Sequence, residues 1–220
     1  MTTDEVRLPG RLPLWEIPGW RERFGVVAGI TGRSTSDGEA FDLGLTTRSA
    51  VADVMQRWRD FRNAMHQFDK QAMALQVHGN RVVWHDAAPG WTIIDGADGH
   101  ATATPDLLLM VTVADCVPVY LVARDKGAVA LLHAGWRGTA AGILERGLAI
   151  LAAHAGAAPD EVVMHTGVAI SGPCYQVGGE VMEQLGRAHP GAGPWQLDLR
   201  DLLAEQGRAL GVAEITSSGH

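Results

Sequence analysis

Three continuous apolar runs in the middle of the chain constrain its fold more than any other feature. They cover Leu107–Val113, Val117–Ala123 and Ala128–Leu132, and Asp125–Gly127 separates the last two as a turn. Strands that face solvent on one side alternate apolar and polar residues, whereas strands buried on both faces appear as unbroken apolar runs. We therefore expect a hairpin inside a sheet that is covered on both faces.

Helices and further strands are predicted on both sides of this centre. Apolar residues recur at spacings of three and four from Val51 to Met65, which is the pattern of a helix with one buried face. The other predicted helices are one marked by the apolar residues of Ile143–Leu151, a short one over Gly178–Ala188 and a last one over Leu199–Leu210. The other predicted strands are Phe24–Thr31, Ala72–Val77, Arg81–His85 and Asp160–Ile170. The chain has 220 residues without a repeat or a linker, so we expect one α/β domain over residues 1–220.

Charge and hydrophobicity exclude several classes of function. Lys and Arg number 18 against 25 Asp and Glu, and the net charge is -7, so a nucleic-acid partner is not expected. The apolar runs are shorter than the ~20 residues of a membrane span, and Met1–Arg11 lacks the order of a secretory signal. We expect a soluble, cytoplasmic protein whose two cysteines, Cys116 and Cys174, are thiols.

Three potential metal ligands, His78, Cys116 and His133, stand at predicted strand ends close to glycine or proline. Strand ends are rigid positions from which side chains can point into a common pocket. Two imidazoles and one thiolate suit zinc, and three protein ligands leave the fourth tetrahedral position open, as in catalytic zinc sites. Copper could occupy the same ligands. We expect structural or surface roles for His66, His85, His100, His154, His165, His189 and His220.

Two other interpretations remain open for the same side chains. Cys116 and His133 could form the nucleophile and base of a hydrolase that needs no metal. The chain could also be a zinc-binding pseudoenzyme or a partner subunit. His78 distinguishes the first interpretation from the metal site, because a Cys-His pair has no need of a second histidine.

Four segments resemble, in order and spacing, the family long called laccase-domain or multicopper polyphenol oxidase proteins. They are Gln76–Gly79, Ala114–Pro118, His133–Gly138 and Gly172–Gly178, and the resemblance spans roughly residues 24 to 211. Members of this family are now described as purine nucleoside phosphorylases with adenosine deaminase side activity. The resemblance implies a single α/β domain layered helix, sheet, sheet, helix with mixed sheets, and zinc at the three ligands named above.

The function implied by the resemblance is zinc-dependent cleavage of adenosine, inosine or methylthioadenosine with phosphate, and deamination of adenosine as a second reaction. Arg137 is the predicted phosphate ligand, because its forked guanidinium matches phosphate and it lies in a glycine-flanked turn that opens a helix. Asp115 is predicted either to move a proton or to orient a neighbouring group. Gln76 and Cys174 are predicted to contact substrate. The oligomeric state is left open.

The sequence departs from the family pattern at three places. Members have an Asn-Leu-Gly segment where Phe41–Gly44 stands, and an Asn-Arg pair whose counterpart here is Gln56-Arg57. Members also continue into a Cys-Thr pair and a Phe-Phe-Ser-Tyr-Arg-Arg-like end, whereas this sequence ends at Ile215–His220. We expect these changes to alter substrate binding, with the contacts of that terminal segment missing, and to leave the zinc ligands intact.

Multicopper oxidase chemistry is the least expected function. Such enzymes need many imidazoles, commonly in His-x-His pairs, to hold several copper ions. This sequence has nine histidines and no His-x-His pair.

Overall fold

The computed structural model describes residues 1–44, 49–86 and 90–220. The helices in this part of the chain are α1 (Trp20–Phe24), α2 (Val51–Ala64), α3 (Trp136–Ala140), α4 (Ile143–Ala155), α5 (Gly179–Gln184) and α6 (Leu199–Ala209). The strands are β1 (Val6–Arg7), β2 (Leu14–Glu16), β3 (Gly29–Thr31), β4 (Lys70–Leu75), β5 (Val82–His85), β6 (Gly90–Asp95), β7 (Gly99–Thr102), β8 (Leu107–Leu109), β9 (Val117–Ala123), β10 (Ala128–Ala134), β11 (Val162–Thr166), β12 (Gln176–Val177), β13 (Trp195–Gln196) and β14 (Glu214–Ser217).

The predicted hairpin forms the centre of a six-stranded sheet with the order β14-β11-β9-β10-β7-β5. The sheet is mixed, because β9, β10, β7 and β11 pair antiparallel while β5 and β14 join its edges in parallel. All seven residues of β9 are buried. Asp125 and Gly127 turn the hairpin with φ angles of 57° and 62°. The runs Val117–Ala123 and Ala128–Leu132 thus mark a sheet interior, as predicted, whereas Leu107–Val113 contributes only a partly buried edge strand of another sheet.

Both faces of this sheet are covered, which explains why its strands do not alternate with polar residues. Val119 and Leu121 of β9 face a core that α4 and α6 complete with Leu144, Leu151 and Leu203. On the opposite face, alternate strand residues pack against the N-terminal segment; the buried residues there are Ile17, Trp20, Ala28, Tyr120, Val122 and Val163. That segment forms its own small sheet, β1-β2-β3.

A second, three-stranded sheet has the order β6-β4-β8, and both of its strand pairs are parallel. Helix α2 covers one face of it, because Val54, Trp58 and Phe61 of its apolar stripe pack with Met73 of β4. The fold is therefore α/β with several sheets of mixed direction and helices on their outer faces, which confirms the predicted fold class. No helix in the described part of the chain is both long enough and apolar enough to cross a lipid bilayer.

Several predicted strands are shorter in the structure. The predicted strand Phe24–Thr31 begins only at Gly29, since Phe24 ends α1 and Gly25 terminates that helix in the left-handed conformation with φ 66°. The run Leu107–Val113 is a strand only as far as Leu109, where its pairing with β4 ends. Asp160–Ile170 likewise contains only β11.

Strands β6 and β7 escape prediction from the sequence. Both begin with glycine, and β6 ends with aspartate, which are poor strand signals; β7 also has only four residues. Strand β4 also ends at Leu75, two residues before the predicted Val77. His78 consequently lies in the turn after the strand, with a left-handed φ of 59°.

Candidate metal centre

The structure brings the three predicted ligands together. The donor atoms of His78, Cys116 and His133 all lie within 4.8 Å of one another, and this is the one such group of three in the described part of the chain. The two imidazole rings are nearly perpendicular, with centroids 4.8 Å apart. Zinc bonds to nitrogen and sulfur are about 2.0–2.3 Å long, so small side-chain rotations let all three donors reach one ion.

Strand pairing explains how residues far apart in sequence meet. Cys116 directly precedes β9, and His133 is the penultimate residue of β10. Because Val117 pairs with Ala134 across the hairpin, Cys116 and His133 lie close together where β9 begins and β10 ends. The turn after β4 brings His78 to the same end of these strands.

Glycines 135 and 138 give the centre the space that it needs. A Cβ atom on Gly135 would lie 3.0 Å from Cys116 Sγ and 3.2 Å from His78 Cδ2. A Cβ atom on Gly138 would lie 2.6 Å from the carbonyl oxygen of Gly79. Larger residues at these positions would push the three segments apart, which gives a physical reason for the two glycines in the His133–Gly138 block.

Asp98, to which no sequence pattern points, forms hydrogen bonds with two of the ligand segments. It is fully buried, and its carboxylate accepts a hydrogen bond from Nδ1 of His133 at 2.9 Å. The same carboxylate accepts the backbone N–H groups of Val77, His78 and Gly79 at 3.3, 2.9 and 2.8 Å. With Nδ1 engaged, His133 presents Nε2 as its free donor atom to the other two ligands.

Electrostatics favour a metal site over a metal-free Cys-His pair. Burial lowers the pKa of His133, although its hydrogen bond to Asp98 opposes this, so the imidazole stays neutral as a metal ligand requires. Burial raises the pKa of the Cys116 thiol, and the charges of Asp115 and Asp98 raise it further. A nucleophilic thiolate is therefore disfavoured without a cation, whereas a bound divalent ion would stabilise the thiolate.

Exposure of the ligands increases from one side of the centre to the other. His133 is buried, Cys116 is partly buried and His78 is exposed. An ion held by these donors would have protein on one side and solvent on the other. Two nitrogens, one sulfur and an accessible fourth position suit zinc in a catalytic role, and copper accepts the same donors.

Arg137 stands beside the centre with a free guanidinium. It is exposed on α3, and its guanidinium carbon lies 4.4 Å from the ring centroid of Trp136. No ion pair to it is found among residues 1–44, 49–86 and 90–220.

Tyr175, to which no sequence pattern points, lies close enough to Cys116, Asp115 and Arg137 for their charges to affect its hydroxyl. Burial raises the pKa of its hydroxyl, the charges of Cys116 and Asp115 add to this rise, and Arg137 opposes it.

Of the other predicted site residues, Gln76 and Asp115 form hydrogen bonds that support the loops around the centre. Gln76 donates its side-chain N–H to the carbonyl of Thr112 at 2.8 Å and accepts the Thr112 backbone N–H at 2.7 Å, so its amide joins the His78 and Cys116 segments. Asp115 is exposed, and its carbonyl accepts the backbone N–H of Ile170 at 3.1 Å. Cys174 is exposed in a 3₁₀ turn. Direct contacts of Gln76, Asp115 and Cys174 with substrate stay predictions.

A family profile and curated relatives match most of this chain. The sequence profile described as "Multi-copper polyphenol oxidoreductase laccase" matches residues 23–220. "Purine nucleoside phosphorylase YlmD" from Geobacillus stearothermophilus is 32% identical over 210 residues, which is 86% of this chain and 77% of the relative. "Adenosine deaminase RL5", from an unknown prokaryotic organism, is 31% identical over 220 residues, which is 89% of this chain and 82% of the relative.

A solved structure supports the same relationship. The crystal structure of YlmD from Geobacillus stearothermophilus superposes with a TM-score of 0.83 at 27% sequence identity, covering 98% of this chain and 88% of that one. The relatives carry the names of enzymes, which bears out the prediction that this chain is one. Given the extent of the profile match, the chain belongs to the family described as multi-copper polyphenol oxidoreductase laccase.

Proposed function

We propose that this protein is a zinc-dependent purine nucleoside phosphorylase that cleaves adenosine, inosine or methylthioadenosine with phosphate and deaminates adenosine as a second reaction. The observation that supports this most is the convergence of His78, Cys116 and His133 on one point with an exposed side. The names of the relatives supply the substrate class. When bound, the ion supplies Lewis-acid chemistry at its open position, where it polarises a substrate oxygen or activates water.

In phosphorolysis the bond between the purine nitrogen and the anomeric carbon breaks, and a phosphate oxygen bonds to that carbon. The protein must therefore align phosphate and stabilise charge rather than form covalent bonds itself. Arg137 is suited to this task, since its unpaired guanidinium can form two parallel hydrogen bonds to phosphate. The stacking of Arg137 on Trp136 limits its rotamers and so orients the fork.

The departing purine takes the bonding electrons and needs a proton. Asp115 directly precedes Cys116 and is exposed, and no hydrogen bond or ion pair of its carboxylate occurs in the part of the chain that the structure describes. The carboxylate is therefore accessible to substrate, as a group that transfers a proton must be. Its alternative role is to orient a neighbouring group, and this role predicts little change in the pH profile when Asp115 is replaced by Asn.

The description of the family as multicopper does not fit the ligands. The described residues contain one group of three ligands, and the sequence has no His-x-His pair. A cluster of several copper ions would need more imidazoles than this group provides. We therefore propose a single ion, with copper as a possible substitute for zinc in the same place, and expect no oxidation of polyphenols.

Metal analysis combined with nucleoside turnover tests the proposal. We expect about one zinc per chain in the wild-type protein, loss of that zinc in His78→Ala, and retention in the control His66→Ala, because His66 is exposed and lies outside the centre. Release of purine base that requires phosphate supports phosphorolysis, and formation of inosine from adenosine supports deamination.

Each other outcome contradicts a stated part of the proposal. Zinc that survives His78→Ala refutes the three-ligand site. Base release without phosphate indicates hydrolysis instead. A zinc-loaded protein that turns over no nucleoside is a pseudoenzyme or a subunit that needs a partner.

A further inference from the structure

One buried carboxylate contacts two of the three segments that bear the ligands. Asp98 lies in the turn before β7, with no solvent exposure. Its own backbone is fixed on both sides, because its N–H donates to the carbonyl of Arg81 at 2.9 Å and its carbonyl accepts the N–H of His133 at 2.7 Å. The carboxylate is therefore held at a defined position between the strand of His133 and the turn of His78.

Each oxygen of this carboxylate accepts two hydrogen bonds. Oδ1 accepts from Nδ1 of His133 and from the backbone N–H of His78, both at 2.9 Å. Oδ2 accepts from the backbone N–H groups of Val77 and Gly79. Four donors thus converge on two acceptor oxygens, an arrangement that a carboxylate satisfies and a carboxamide, with one oxygen, cannot.

These bonds fix both histidine ligands. An acceptor opposite Nδ1 of His133 keeps the proton on that nitrogen and leaves the lone pair on Nε2, where a metal would bind. His78 has a left-handed φ of 59°, which is unfavourable for a residue with a side chain. The convergence of three consecutive backbone N–H groups on one anion stabilises this turn and so sets the direction of the His78 side chain.

We propose that Asp98 is the positioning residue of the centre: one carboxylate selects the tautomer of His133, holds the His78 turn in its left-handed conformation, and thereby brings two ligands, one from a strand and one from a turn, to one ion. This inference rests on the proposed metal site. It adds a residue that contacts neither the ion nor the substrate.

The variant Asp98→Asn tests the proposal, because it preserves the shape of the side chain and replaces one oxygen with an N–H donor. In either amide orientation, one pair of donors loses its acceptor. We expect the affinity for Zn²⁺, measured by competition with a chromophoric chelator, to fall about 10- to 100-fold. We also expect faster hydrogen exchange at the amides of Val77, His78 and Gly79 in the metal-free variant.

Glu5→Gln is the matched control. Glu5 is also a buried carboxylate paired with a buried histidine, since it lies 3.3 Å from Nε2 of His165 and bonds Ser218. None of these three residues belongs to the candidate centre. We expect Glu5→Gln to lower the melting temperature without changing the Zn²⁺ affinity. An equal loss of affinity in both variants would mean that affinity follows general stability, and this would overturn the proposal.

The remaining outcomes separate the positioning role from the proposed function. Unchanged Zn²⁺ affinity in Asp98→Asn overturns the role of Asp98 and leaves the proposed function intact. Reduced Zn²⁺ affinity in Asp98→Asn, together with a zinc-loaded wild type that turns over no nucleoside, supports the role of Asp98 and refutes the proposed function. Absence of Zn²⁺ binding by the wild type refutes both. If Asp98→Asn does not fold, nitrogen NMR of metal-free wild type decides: the proton of His133 on Nδ1 supports the role, and on Nε2 overturns it.

Discussion

Replacing Gly135 by alanine should damage the metal centre without removing a ligand. Gly135 has φ -80° and ψ 171°, angles that alanine adopts readily, so the backbone itself is not strained. The added methyl group would lie 3.0 Å from Cys116 Sγ and 3.2 Å from His78 Cδ2. Comfortable contacts between such atoms are about 3.5–4.0 Å, so the two ligands must each move by a few tenths of an ångström.

Two opposing effects determine how much Gly135→Ala changes the free energy of unfolding. Crowding of a packed site costs about 1–3 kcal/mol, while the reduced freedom of the unfolded chain returns about 0.4–1 kcal/mol. We expect Gly135→Ala to lower the free energy of unfolding of the metal-free protein by about 1–2 kcal/mol. Because functional side chains must be held within about 0.5 Å, we also expect Zn²⁺ affinity to fall about tenfold or more.

Chelator competition measures the affinity, and urea unfolding of the metal-free protein measures the stability. Gly179→Ala is the control, since a Cβ atom at the first residue of α5 would meet nothing nearer than His189 Cδ2 at 3.6 Å. This control should bind Zn²⁺ as the wild type does. The reasoning is refuted if Gly135→Ala binds Zn²⁺ with wild-type affinity and unfolds at the wild-type urea concentration.

Two further predictions concern phosphate binding and acid stability. Arg137→Lys keeps the positive charge and loses the fork, so KM for phosphate should rise about tenfold with little change in zinc content; an unchanged KM would remove Arg137 from the phosphate site. Burial lowers the pKa of His100 to about 3, with the neighbouring His85 adding to the effect. The unfolded chain therefore takes up a proton below about pH 6.5 that the folded chain refuses, and His100 lowers stability as pH falls from about 6.5 to 3, by at most about 1.4 kcal/mol per pH unit. His100→Gln should flatten the dependence of the melting temperature on pH in that interval, and an unaltered slope would contradict the assignment.

The parts of the fold that were predictable are those with a strong local pattern. The hairpin of β9 and β10 follows from two unbroken apolar runs and a turn, and α2 follows from its apolar spacing. The run Leu107–Val113 misled because its composition does not reveal where β8 stops pairing with β4, which itself continues to Leu75. Its pairing with β4 stops at Leu109, and Thr112 is instead held by Gln76.

The residues of the candidate site also differ in how far the sequence predicts them. His78, Cys116 and His133 are chemically distinctive and stand close to glycine or proline, so the sequence suggests them. Asp98 is an ordinary aspartate in a loop, and its importance arises from backbone N–H groups twenty residues away, which no local pattern encodes. Gln76 shows the reverse: it lies in the conspicuous segment, yet its amide bonds the backbone of Thr112.

X-ray absorption at the zinc edge of the purified protein tests the central claim most directly. We predict one sulfur neighbour at about 2.3 Å, two imidazole nitrogens at about 2.0–2.1 Å and one further light atom from solvent or substrate. A spectrum without a sulfur neighbour, or one with several, would contradict an ion held by His78, Cys116 and His133 with one position open.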